Sequence, residues 1–239
     1  MMNPDFGKLY LIPTRLGDNP PLEVLPLSIK RIVEQVNDYI VENEKSARQF
    51  IKRVSPGKSQ GSLKLLLLNK YTQERELDHF LDNCKAGKPM GLLSEAGCPA
   101  IADPGSEIVR LAHENGIQVV PLVGPSSIIL GLMSSGMNGQ SFAFNGYLPI
   151  EKGKLKATLK RLEKLSHDQN QTQIFIETPY RNNKILEDIC NTLQPNTKVC
   201  VACDLTLPTE YIKTATVSEW KRITVDLHKR PTIFLIHKD

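Results

Sequence analysis

The sequence predicts an α/β protein built as two α/β domains. Two observations in the first half carry that prediction: short apolar, β-branched or leucine-rich runs recur, and helical apolar spacing fills the intervals between them. A third is a change of pattern near residue 123, after which apolar runs follow one another closely enough for antiparallel pairing. The expected division is therefore 1–122, an N-terminal domain with a mostly parallel sheet, and 123–239, a C-terminal mixed α/β domain.

In the first half the runs are Leu9–Ile12, Tyr39–Val41, Leu63–Leu68, Met90–Leu93 and Gln118–Val123. Runs of this kind with helices between them imply parallel strands covered on both faces. Ala47, Phe50, Ile51 and Val54 fall at helical spacing, and so do Ile108, Val109, Leu111 and Ala112. A second unit opens near Gly124-Pro125-Ser126-Ser127, where either serine can cap the apolar helix Ile128–Met133. Strand patterns follow at Phe142–Leu148, Gln173–Ile176, Val199–Leu205, Ile212–Val217 and Thr232–Ile236, with helices at Leu155–Leu165 and Lys184–Leu193. The sequence shows no internal repeat and no low-complexity tract.

Composition removes several classes. With 40% hydrophobic and 23% charged residues over 239 positions, the chain has ordinary globular chemistry. No apolar segment approaches the ~18 residues of a membrane span, and no basic stretch precedes an apolar core in Met1–Asp5, so a cytoplasmic protein is expected. Five cysteines, an odd number, argue against a disulfide framework. Cys200 and Cys203 form a CxxC inside a strand pattern, where residues three apart face opposite ways, so no metal is expected there. The net charge of +4 resides in the second half, where fifteen Lys and Arg stand against eleven Asp and Glu; the first half balances at fifteen each.

The most informative stretch is Gly91–Gly105, in which an apolar run stops at Ser94 and two turns follow before a helical pattern resumes at Ile108. Gly97 and Gly105 permit positive φ, Pro99 and Pro104 fix φ, and Glu95 and Asp103 place two carboxylates where a strand ends. In open α/β sheets, ligands bind at that end.

Five motifs in fixed order run from Ser94-Glu-Ala-Gly-Cys-Pro-Ala-Ile-Ala-Asp-Pro-Gly105 through Val120-Pro-Leu-Val-Gly-Pro-Ser-Ser127, Phe144-Asn-Gly-Tyr-Leu-Pro149 and Phe175-Ile-Glu-Thr-Pro-Tyr-Arg181 to Ala202-Cys-Asp-Leu-Thr206. Together they resemble the tetrapyrrole (corrin/porphyrin) methylase superfamily, and most of all its branch of 16S ribosomal RNA ribose 2′-O-methyltransferases. The resemblance implies two α/β domains with S-adenosylmethionine in the cleft between them, and a homodimer. It implies cofactor contacts at Glu95 and Cys98, at Ser126 and Ser127, at Glu177 and Thr178, at Leu205 and Thr206, and at Pro231 and Thr232. These residue types suit that ligand independently: a cationic sulfur, a carboxylate, a ribose diol and an adenine need acceptors, a helix start and an apolar slot. The alternatives are helix capping for the two serines and a surface salt bridge for Glu177.

Methyl transfer to a hydroxyl requires a group to take its proton. The residues leave that group open among Glu42, Glu95 and Glu177, each following an apolar run; Glu42 also fits a solvated helix start in Glu42-Asn-Glu-Lys45. Pro13-Thr-Arg-Leu-Gly-Asp18, Val41–Lys45 and Leu68-Asn-Lys-Tyr-Thr72 depart from the ribosomal pattern, and the sequence stops soon after Ile236 where many ribosomal members continue. Ribosomal RNA is thus the expected acceptor by resemblance, with a tetrapyrrole or other small acceptor, or a non-catalytic cofactor- or RNA-binding scaffold, as alternatives. Lys45, Arg48 and Lys52, and the six Lys and Arg between 151 and 164, are candidate phosphate contacts; the competing reading is the solvated face of an amphipathic helix.

Overall fold

In the computed structural model the described residues are Asn3, 5–69 and 71–239; Met1, Met2, Pro4 and Lys70 lie outside them, and with them parts of the N-terminal segment and of the Leu68–Thr72 turn. The chain divides into two compact units, Met1–Ser126 and Ser127–Asp239.

The first unit contains β1 (Leu9–Ile12), α1 (Pro21–Val24), α2 (Leu27–Gln35), β2 (Asp38–Val41), α3 (Glu44–Val54), β3 (Lys64–Leu67), α4 (Glu74–Leu77), α5 (Asp82–Lys85), β4 (Met90–Leu93), α6 (Ser106–Glu114) and β5 (Val119–Pro121). Its five strands pair in parallel in the order β3-β2-β4-β1-β5. The central strands β2 and β4 are buried at every position while the edge strands β3 and β5 are not, as expected for a sheet covered on both faces. Alternation along β2 sends Tyr39 and Val41 into one core with Ile29, Val33 and Phe50, and Ile40 into the other with Leu9, Leu81 and Ile108. Gly91 stands between the two strands because a Cβ there would lie 2.7 Å from the Tyr39 ring and 2.8 Å from Ile12 Cδ1.

Helix α3 starts where expected for chemical reasons: the Asn43 side chain accepts from the N–H groups of Lys45 (2.9 Å) and Ser46 (3.3 Å), and Ala47, Phe50, Ile51 and Val54 are buried on one stripe. Helix α2 was not anticipated. Its apolar side, Ile29, Ile32 and Val33 continued by Leu25 and Val36, has helical spacing and packs in one core with Tyr39 and Val41. The expected strand Gln118–Val123 is shorter, and Val123 is exposed.

The second unit contains α7 (Ser127–Ser135), β6 (Phe142–Tyr147), α8 (Lys152–Gln169), β7 (Thr172–Ile176), α9 (Asn182–Thr192), β8 (Lys198–Cys203), β9 (Tyr211–Thr216), α10 (Val217–Trp220) and β10 (Thr232–His237). Its sheet runs β6-β7-β10-β8-β9 and is mixed, with β6 and β7 parallel and the other pairs antiparallel. One face packs Leu159, Leu162, Ile185 and Ile189 of α8 and α9 against Val199, Val201, Phe175 and Phe234, with the two phenyl rings stacked at 5.9 Å. The opposite face meets α7, where the Gly131 backbone sits close to Ile233 and Ala202. Cys203 falls in the first of these cores and its neighbour Ala202 on the α7 side, so the CxxC is strand alternation, and all five cysteines are free. The strand expected to reach Leu205 ends at Cys203, because Asp204 turns into the left-handed region at φ 50°.

Candidate functional site

Parallel pairing puts the carboxyl ends of β2 and β4 side by side, Val41 opposite Leu93. Glu42 and Ser94 follow at that level, and Glu95 comes next. The Glu95 N–H donates to Glu42 Oε1 at 3.3 Å, and Ser46 of α3 donates from its hydroxyl to Glu95 Oε1 at 2.5 Å. Asp103, in the turn before α6, completes a group of three carboxylates. Burial, then the charge of Asp103, pushes Glu42 up to about 7; the hydrogen bond from Glu95 opposes the shift and the Glu95 charge adds to it. Asp103 is raised by burial and by Glu95. The solvated helix start considered for Glu42 does not describe it, since Asn43 caps the helix and Glu42 is half-buried.

Glu42 and Glu95 line a cavity of about 180 Å³ with Thr14, Arg15, Ser46, Phe50 and Leu93. That is below the ~300–1,000 Å³ of a whole small-molecule site, so the cavity can take one end of a ligand. At its rim Asp18 is bound by Arg53 and Arg15, which hold that carboxylate below its usual range, the Arg53 hydrogen bond contributing most.

The loop after β4 is fastened to its neighbours by backbone groups. Thr14 N–H donates to Gly97 O at 2.9 Å, the Thr14 hydroxyl to Ser94 O at 3.2 Å, and Cys98 Sγ to Pro125 O at 3.5 Å. Gly105 opens α6 at φ 135°, a conformation side chains rarely adopt. Gly97 and Cys98 therefore lie against Pro125, the residue before Ser126. Burial raises the Cys98 thiol, which keeps it in the form that donates to Pro125 O. Ser127 is the first residue of α7.

The remaining predicted residues gather at one end of the second unit's sheet. Antiparallel register sets Thr232 opposite Cys203 and Ile233 opposite Ile176, which brings Pro231 beside Asp204 and Glu177 level with Thr232. Asp204 N–H donates to Pro231 O at 2.9 Å. Leu205 is buried, while Pro231 and Thr178 are exposed. Arg230 clamps the loop, pairing with Asp204 at 2.8 Å and donating to Thr209 O at 2.7 Å. Thr206 sits at φ 72°, which marks strain where a ligand could be met.

Glu177 is not the surface salt bridge of the alternative reading: its side chain is 4% exposed, with Arg181 Nη2 at 3.4 Å and the Thr178 N–H donating to Oε1 at 2.7 Å. Glu177 Oε2, Arg181 Nη1, Asn182 Oδ1 and Thr206 Oγ1 are all buried without a hydrogen-bond partner. Four unsatisfied polar atoms at one sheet end are a donor and acceptor set that a polar ligand would complete. The structure thus assembles Glu42 with Glu95 in the first unit and keeps Glu177 in the second.

Thr14, Arg15 and Ser46 were missed as site residues. Their signal was positional: Thr14 and Arg15 follow the end of β1, and Ser46 lies three residues after a helix-capping Asn. Among the described residues no group of three or more His, Cys, Asp or Glu is placed to hold a metal, and no helix is long and apolar enough to cross a membrane.

Comparison with known proteins accords with this geometry. The family model for tetrapyrrole (corrin/porphyrin) methylases matches residues 24–221. Ribosomal RNA small subunit methyltransferase I of Vibrio cholerae is 28% identical over 232 residues, covering 96% of this chain and 76% of that protein. Its Bacillus subtilis counterpart is 29% identical over 215 residues, covering 90% and 69%. Among solved structures, the methyltransferase CobJ superposes with a TM-score of 0.64 at 14% identity over 97% of this chain and 94% of that one. Uroporphyrin-III C-methyltransferase from Thermus thermophilus, complexed with S-adenosylhomocysteine, gives a TM-score of 0.56 at 16% identity over 97% and 98%.

Proposed function

The chain belongs to the tetrapyrrole (corrin/porphyrin) methylase family, and from that premise we propose that this S-adenosylmethionine-dependent methyltransferase methylates a ribose 2′-hydroxyl of ribosomal RNA with Glu42 as proton acceptor. The acceptor class is supported by the relatives named ribosomal RNA small subunit methyltransferase I. The single observation that supports the chemistry is the cavity at the ends of β2 and β4, where a half-buried carboxylate is poised near neutrality.

The residues fit the methyl donor. Glu177, Thr206 and Asn182 offer buried, unpartnered atoms to its polar groups, Leu205 and Pro231 offer an apolar edge, and Ser126 and Ser127 lie at a helix start. When bound, the donor supplies a methyl group on a cationic sulfur and leaves as a neutral thioether. What the chain must add is orientation and removal of a proton. A hydroxyl in the Thr14–Ser46 cavity forms its new bond to carbon as its proton passes to Glu42, whose pKa of about 7 suits a base at neutral pH. Glu95 and Asp103 raise the basicity of Glu42, and Ser46 holds Glu95 in place. Arg15 and Arg53, both held on Asp18, give this edge one positive charge in excess of that carboxylate, where a sugar-linked phosphate would arrive. A cytoplasmic homodimer, divided at 122/123 as the sequence suggests, completes the reading, and sedimentation tests the dimer.

The test is incubation of the purified protein with undermethylated ribosomal RNA and methyl-labelled cofactor, followed by digestion to nucleosides. The label is expected on a ribose oxygen. Label on a base, transfer only to a porphyrinoid, or cofactor binding with no turnover would each overturn the proposal.

A further inference from the structure

We propose that the face of α8 bearing Lys152, Lys156, Lys160 and Lys164 is a docking surface for the phosphodiester backbone of RNA. This rests on the RNA reading above and adds where, outside the methyl-transfer site, the substrate is held. The four lysines recur at i, i+4 and are all exposed, so they form one stripe along the helix, roughly 18 Å long at 1.5 Å per residue. The same series ends at Asp168, in the last turn.

Rows of lysine on amphipathic helices are usually balanced by acids at neighbouring positions. Here the acids other than Asp168 are already committed elsewhere. Glu163 is buried, accepting from Gln194 N–H at 2.8 Å and from the Thr197 hydroxyl. Glu151 pairs with Lys154 at 3.0 Å. Across the groove on α9, Glu187 and Asp188 both bind Lys184, at 2.9 and 3.3 Å, and Asp239 binds Lys198 at 2.7 Å. Among the described residues none of the four stripe lysines has an ion pair or a side-chain hydrogen bond.

The stripe also borders concave surface. Lys152 and Lys156 line a groove against α9, and Lys160 and Lys164 line a larger hollow of about 780 Å³ with His167 and Lys238. Lys238 is held by Asn196, and His167 Nδ1 lies 3.0 Å from the Asp239 carbonyl, so the floor of the hollow is fixed. The other basic candidate, on α3, is smaller: Arg48 is bound to Glu44 and Gln60, which leaves Lys45 and Lys52 against four lysines on α8. Lysines are point charges that meet phosphates without reading bases, so this surface would position RNA and leave sequence choice to the site in the first unit.

The test is fluorescence anisotropy of a labelled 20-nucleotide RNA between 50 and 300 mM KCl. The variants are K152Q/K156Q/K160Q/K164Q and, as control, K45Q/K52Q. Loss of four phosphate contacts is expected to lower the slope of log affinity against log salt by about 3 and to weaken binding at least ~30-fold at 100 mM salt. The control should change less than about threefold. Unchanged thermal unfolding and unchanged S-adenosylhomocysteine affinity show that the quadruple variant is folded. Wild-type affinity and slope in that variant would overturn the α8 surface while leaving the RNA reading intact. No binding of RNA by the wild type at 50 mM salt would overturn both.

Discussion

The two units use their sheet ends in opposite ways. At the end of the first unit's parallel sheet, Glu42 and Glu95 line a small cavity with Asp103 close by, and burial and the neighbouring charges raise Glu42 and Asp103. At the end of the second unit's mixed sheet, a carboxylate, a guanidinium, an amide and a hydroxyl are buried with unused hydrogen-bonding atoms. The first arrangement stores proton affinity, and the second stores binding capacity. Crowding like charges tunes a base, whereas leaving neutral and paired polar atoms unsatisfied prepares a ligand site.

Exchanging the defining groups is the strongest way to break this comparison. Glu42→Gln is expected to slow methyl transfer about 10²- to 10⁴-fold, the usual contribution of general base catalysis, with cofactor affinity within twofold. A cofactor defect equal to the rate defect would put Glu42 on the wrong side of the comparison. A structural effect comes next. Leu159 is fully buried in the second unit's core, so Leu159→Ala should cost about 2–5 kcal/mol. Hydrogen exchange should show that loss across β7, β8 and β10, sparing β2 and β4; equal loss in both sheets would mean that the units do not have separate stability.

Smaller effects sharpen the binding side. Thr206→Val, and separately the pair Ser126→Ala and Ser127→Ala, should each weaken S-adenosylhomocysteine binding about 3- to 10-fold by calorimetry, the worth of one or two hydrogen bonds. Unchanged affinity removes those residues from the site. Glu177→Gln should act similarly, with the rate at saturating cofactor nearly unchanged.

The smallest effect is on stability against pH. Glu42 has a folded pKa of about 7, above its ordinary 4.5, so the folded state holds a proton that the unfolded state has released across that window. Its contribution is complete below 4.5 and is lost as pH rises through 7. Glu42→Gln should therefore gain stability relative to wild type at pH 8, on the order of 1 kcal/mol after solvent screening, and little at pH 4. A gain that is largest at low pH would contradict the shift.

Most of the architecture was legible because strands buried on both faces are continuous apolar runs, and β2 and β4 are of that kind. Helix α2 was passed over, although Leu25, Ile29, Ile32, Val33 and Val36 stand at helical spacing, because its apolar residues are separated by charged ones and form no continuous run. The order of the motifs pointed to Glu95, Cys98, Ser126, Glu177 and Thr206, but the sequence left the base open among Glu42, Glu95 and Glu177, with Glu42 also fitting a solvated helix start. What separates them is spatial. Parallel register joins Glu42 to Glu95, and the turn before α6 brings Asp103 near, from positions more than fifty residues apart. The free lysines of α8 were visible as a charge run, yet only packing revealed that Glu163 is buried.

The most direct test is the single-turnover rate of methyl transfer to undermethylated ribosomal RNA from pH 5.5 to 9, for wild type and Glu42→Gln. The wild-type rate is expected to rise tenfold per pH unit and flatten near 7, and the variant to be at least ~100-fold slower with no break near 7. A variant that kept the wild-type rate and the same break would show that another group takes the proton.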